Sequence, residues 1–160
     1  MKNIVPNYIT GGWSAMSKTF CTLPWIHLAS HPHGGTTVCC VADHHNGISR
    51  SRNFTEFSDN DPRSVSGDKF LDLKNNTIEE VMNGDSYNAL RLEMLDGKEP
   101  VACKRCFREE DAGIFSKRAK ENETFSHFTV EDAKERTNED GSLNVVDLEF
   151  IELRLGNICN

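Results

Sequence analysis

The sequence predicts an α+β fold: a small cysteine-bearing β-hairpin, then several helices, then a late strand. Three observations carry this. Two short β-prone runs, at 23–29 and 36–42, flank a turn rich in Pro and Gly. Between residues 77 and 123, helix start and stop signals bracket apolar positions at helical spacing. Residues 145–155 then return to β-branched and aromatic side chains in partial alternation.

At 160 residues, with 37% hydrophobic content and a formal net charge of −7, the chain can build one domain, or one small domain and the start of another. No run approaches the roughly 18 apolar residues of a transmembrane helix. The first twenty residues lack the apolar stretch of a signal peptide. An acidic balance without a Lys/Arg block argues against nucleic acid or an anionic membrane as partner. The chain therefore reads as cytoplasmic.

Taken in order, residues 1–19 form a lead-in and the hairpin occupies about 20–42. Residues 43–69, rich in Asn, Ser, Asp, Arg and Gly, form a long polar loop within a cysteine-rich region spanning 20–125. Thr77 followed by Glu80 is a capping-box pattern that starts a short helix carrying Ile78, Val81 and Met82 as far as Gly84. A second helix presents Tyr87, Leu90, Leu92, Met94 and Leu95 and stops at Asp96-Gly97. A third is expected at about 107–123, with Ala112, Phe115 and Ala119 available for packing. Residues 126–144 read as an acidic, solvated connector. In 145–155 the apolar positions run 146, 148, 150 and then shift to 151, 153, 155, which suggests one strand with a bulge at the shift. A strong terminal strand followed only by Gly156 to Asn160 gives the expectation of a truncated chain.

The chemistry lies in the six cysteines, at 21, 39, 40, 103, 106 and 159. A reducing compartment keeps them as thiols, and clustered thiols there bind metal or do redox chemistry. Cys103-Lys104-Arg105-Cys106 has the C-x-x-C spacing that lets two thiolates converge on one centre, and its two basic residues place positive charge beside them. A thioredoxin-like use of the motif needs a βαβ context, whereas a helix ending near Gly97 and Pro100 precedes this one. If the hairpin runs pair antiparallel, Cys21 and Cys39 lie near the same open end. Four soft ligands, two from the hairpin and two from C-x-x-C, suit either zinc or an iron–sulfur cluster. Buried free cysteines in a small core are the plain alternative.

Cys21, then Gly34-x4-Cys39, then Cys103-x2-Cys106 resembles the cysteine pattern of the twitch and SPASM auxiliary-cluster domains of radical SAM enzymes. Phe20-Cys21 with Leu23-Pro24-Trp25 before the turn, and Cys39-Cys40 after it, fit that context. Residues 153–160, ending in Cys159-Asn160, resemble the first barrel strand and loop of a radical SAM core, where C-x3-C-x2-C begins. The resemblance implies an auxiliary 4Fe–4S cluster on Cys21, Cys39, Cys103 and Cys106, with Cys39 favoured over Cys40 by the glycine spacing. It further implies that 145–160 opens an incomplete radical SAM β/α barrel. In the complete protein, Cys159 would give the first ligand of a second 4Fe–4S cluster that binds S-adenosylmethionine and generates a deoxyadenosyl radical. The implied partners are an electron donor and a substrate of the peptide or protein class. On this reading the fragment alone is inactive. The alternative is a structural-zinc interaction module using the same four cysteines.

Other candidates have plainer readings. His27, His31, His33, His44 and His45 are possible ligands, but turn histidines are commonly just solvated. Trp25 reads as core beneath the cysteine site. Arg50 and Arg52 read as solvated loop, and Glu109, Glu110 and Asp111 as a charged helix face.

Overall fold

The computed structural model describes residues 18–30, 32, 35–42, 71–154 and 156, and has the α+β architecture expected. After Cys21 the chain makes a single helical turn, α1 (Leu23–Ile26), with Pro24 in the first turn, where its missing N–H costs nothing. The sequence expectation had placed these residues in a strand. The extended segment β1 (His27–Ser30) begins only where the turn ends, and all four of its residues are buried.

β1 is the middle of a three-stranded sheet in the order β2-β1-β3. β2 (Thr36–Thr37) pairs antiparallel to it, with Ala29 opposite Thr37, completing the expected hairpin. β3 (Phe150–Glu152) pairs parallel on the other side, with Leu28 opposite Ile151. The expected 145–155 strand is thus shortened to three residues, with no bulge. Val146, Leu148 and Phe150 pack against the core, whereas Ile151 and Leu153 are exposed on the far face. The shift in apolar spacing marks a change of face. β3 forms an edge of the hairpin's own sheet.

The helices follow local signals closely. α2 (Ile78–Met82) carries the predicted reciprocal capping box between Thr77 and Glu80. α3 (Asp85–Leu95) ends at Asp96-Gly97 as expected, with Lys98 N–H closing back on the Glu93 carbonyl. A 3-10 turn (Val101–Cys103) then leads into α4 (Lys104–Asp111).

The single third helix expected at 107–123 is two helices. Gly113 adopts φ +75°, and the N–H groups of Gly113 and Ile114 bond back to Glu110 and Glu109, a left-handed stop that a residue with a Cβ would resist. Ser116 then caps α5 (Lys117–Thr124) by accepting from the Ala119 N–H. Ala112 and Phe115 fall in the break and are exposed, while Ala119 packs inside as predicted. The solvated connector contains another helix. Thr129 and Asp132 form a second capping box for α6 (Val130–Arg136), which buries Val130 and Ala133.

Trp25 lies at the centre of the core, fully buried between Phe20 and Phe128 at ring-centroid distances of 5.4 and 6.5 Å. Its indole N–H donates to Thr137 Oγ1 at 2.8 Å, tying α1 to the end of α6. Among the described residues, no helix is long and apolar enough to cross a membrane.

His27 is equally buried. Its Nδ1 lies 2.8 Å from the Val38 carbonyl, which can only accept, so the proton sits on Nδ1 and the buried Nε2 has no partner. Burial holds the imidazole below its ordinary value of 6.5, outweighing the Val38 contact that favours the charged form. The depressed value means that the unfolded chain takes up the proton first. The neutral ring's contribution to stability is therefore full above pH 6.5 and is lost as pH falls from there through the folded value. Denaturant titrations between about pH 7.5 and 5.5 are expected to show a fall in stability that is smaller in His27→Asn, whose amide can still donate to Val38. Equal slopes would contradict the assignment.

Candidate metal centre

Four cysteines from three separate segments line one cavity: Cys21 before α1, Cys39 after β2, Cys103 at the start of α4 and Cys106 within its first turn. Leu23, Val41 and Ala42 supply its apolar wall, and Lys117 and Arg118 of α5 complete the lining. The enclosed space is small, about 20 Å³, and its walls are almost wholly apolar. Among the described residues, no group of three or more His, Cys, Asp or Glu side chains is arranged to hold a single metal ion.

Each chain segment reaches this chamber for a local reason. The turn of α1 directs the Leu23 N–H back to the Cys21 sulfur. The bend after β2 presents the Val41 and Ala42 N–H groups to Cys39. Start-up of α4 sets Cys103 and Cys106 one turn apart, and the Arg118 backbone N–H faces Cys106. Such donors satisfy thiolate lone pairs where water is scarce.

None of Cys21, Cys39, Cys40, Cys103 and Cys106 forms a disulfide. Burial pushes the four chamber thiols upward, Cys39 to about 12 and Cys103 well above its ordinary value. Their neighbours' negative charge adds to this: Cys39 and Cys106 both act on Cys21, and Cys21, Cys39 and Cys106 all act on Cys103. Ionising all four in an apolar chamber would set like charges against one another, so the ionised set needs positive charge between the sulfurs, which metal ions supply.

The basic residues inside the C-x-x-C motif do not supply it. Lys104 and Arg105 are both exposed, and Arg105 pairs with Glu109 at 2.9 Å. The cation that favours the ionised forms of Cys21 and Cys103 is Arg118, far along the chain.

The family model for the SPASM iron–sulfur cluster-binding domain matches residues 21–107. That span holds all four chamber cysteines and more than half of the sequence. The chain belongs to the SPASM family. Searches of curated proteins and of solved structures find no match.

Within this SPASM domain the remaining sequence candidates separate clearly. Cys40 does not line the chamber; its thiol bonds to the Glu152 carboxylate. His27 is a buried structural residue away from the lining. His31, His33, His44, His45, Arg50, Arg52 and Cys159 lie outside the described residues. Glu109, Glu110 and Asp111 do not form one solvated face, because Glu110 turns inward to Arg118 and Ser116. Sequence reasoning missed Arg118 and Asn122. Gly113 as a stop and Ser116 as a cap would have set the phase of α5 and placed both, four residues apart, on one inward face.

Proposed function

We propose that this SPASM domain holds a 4Fe–4S cluster through Cys21, Cys39, Cys103 and Cys106. The observation that carries the reading is the convergence of these four thiols, from three separate segments, on one apolar chamber. A cluster bound by four thiolates supplies one-electron transfer and leaves no iron open to substrate. The chain's own part is to hold the sulfurs apart, donate N–H groups to them and exclude water with Leu23, Val41 and Ala42.

The domain is, in this reading, the auxiliary-cluster part of a cytoplasmic radical SAM enzyme. Family membership supports it, since SPASM domains are typical of such enzymes. Cys159-Asn160, beyond β3, would open the motif that binds the second cluster and S-adenosylmethionine. An electron donor and a peptide or protein substrate would be the partners.

Anaerobic reconstitution of the full chain, with iron, sulfide and zinc analysis, tests the centre. About four iron and four sulfide per chain are expected in wild type, with visible charge-transfer absorption, and both should be lost in Cys103→Ala/Cys106→Ala. About one zinc and no sulfide would overturn the cluster and leave a structural metal module.

A further inference from the structure

Arg118 sits on α5, beyond residue 107 where the family match ends, yet it touches both halves of the cysteine chamber. Its backbone N–H bonds to Cys106. Its Nη1 donates to the carbonyl of Phe20, the residue before Cys21, at 2.8 Å. The side chain is only 4% exposed and its guanidinium lies over the Phe107 ring at 4.8 Å. Glu110 fixes it from the other side, accepting from Nε at 3.0 Å and from Nη2, while also accepting from the Ser116 hydroxyl.

The pair is held at the chamber wall: Arg118 lines the cavity beside the four cysteines, and Glu110, one turn beyond Cys106 on α4, is fixed against it. Lys117 also lines the chamber, paired with Glu121 at 3.2 Å, but its side chain is 20% exposed, more than that of Arg118. One turn after Arg118, Asn122 makes a grip that carries no charge. Its Nδ2 donates to the Phe20 carbonyl and its Oδ1 accepts from the Thr22 N–H, each at 2.9 Å.

We propose that Arg118 is the positioning residue that sets the reduction potential of the cysteine centre, with its charge balanced by Glu110, while Asn122 only holds the Cys21 segment in place. This rests on the cluster reading above. A cluster with four thiolates is already anionic, and reduction adds one electron. A fixed cation in a low-dielectric site favours the more negative state, and a fixed anion disfavours it. Removing Arg118 therefore lowers the potential, and removing the charge of Glu110 raises it.

The test uses the full chain, reconstituted with iron and sulfide, as wild type, Arg118→Met, Arg118→Lys, Glu110→Gln and Asn122→Ala. Each is titrated with dithionite as the one-electron reductant while the reduced signal is followed by electron paramagnetic resonance. The midpoint is expected to move negative in Arg118→Met, to return toward wild type in Arg118→Lys and to move positive in Glu110→Gln. Asn122→Ala should keep the wild-type midpoint but lose iron to a chelator several-fold faster. If Arg118→Met does not fold, Glu110→Gln and Arg118→Lys decide: an unmoved midpoint in the first, or a midpoint in the second shifted like a loss of charge, overturns the inference. A midpoint that moves equally in Asn122→Ala does so too. Wild type without iron and sulfide would instead overturn the cluster reading itself.

Discussion

Replacing Arg91 by methionine is expected to lower the stability of the folded chain by about 3 kcal/mol, read as a shift in denaturant midpoint. Arg91 is fully buried on α3 and, among the described residues, has no carboxylate partner. Its guanidinium instead donates to the carbonyls of Pro24 at 2.9 Å, Gly141 at 3.0 Å and Met82 at 2.5 Å, and to Asn88 Oδ1 at 3.1 Å. One side chain thereby joins α1, α2, α3 and the 141 turn. Burial draws its proton affinity down to about 10, so it remains charged at neutral pH. Methionine fills much of the volume and removes the cost of burying charge, but strips donors from four acceptors, each worth roughly 1–3 kcal/mol when left unmade. The second term wins. Arg91→Lys keeps the charge without the fork and should recover only part of the loss. A methionine variant as stable as wild type would show that water reaches these carbonyls.

Gly141→Ala is expected to cost about 2–4 kcal/mol, combining left-handed backbone strain with a backbone clash. Gly141 has φ +87°, and a Cβ there would lie 2.4 Å from the Asn88 carbonyl oxygen. That neighbour is helix backbone and cannot swing aside, and the Gly141 carbonyl is itself an Arg91 acceptor. Gly97 supplies the control. It has φ +73° but nothing within 4 Å of the Cβ position, so Gly97→Ala should lose only the conformational part, about 1 kcal/mol. Equal losses at the two sites would show that the 141 turn can move away from α3.

The parts of this fold read correctly from sequence are those fixed by neighbours in the chain. Thr77 and Glu80 meet because they are three residues apart, Asp96-Gly97 stops a helix by its own backbone, and C-x-x-C spacing carries its geometry with it. The same logic could have found Gly113, Ser116 and Thr129, but the charge density of 117–123 and 129–142 masked those signals. What no local pattern discloses is which charge is buried. Lys104 and Arg105 adjoin two cysteines in sequence yet face solvent, while Arg118, in the run Lys117-Arg118-Ala119-Lys120, is the residue turned inward. The pairing of β3 with β1 was likewise illegible, because three residues of register depend on partners more than a hundred positions away.

Asn122 grips Thr22 and Phe20 across sequence separations of 100 and 102 residues, and Thr137 takes the Trp25 indole proton across 112. The span that the family model matches and the span that holds itself together are therefore different on this chain. A fragment cut at residues 21–107 would keep every chamber cysteine and still lose the partners of Trp25 and of the backbone on both sides of Cys21. The residues beyond the family match are the scaffolding that makes the matched span cohere.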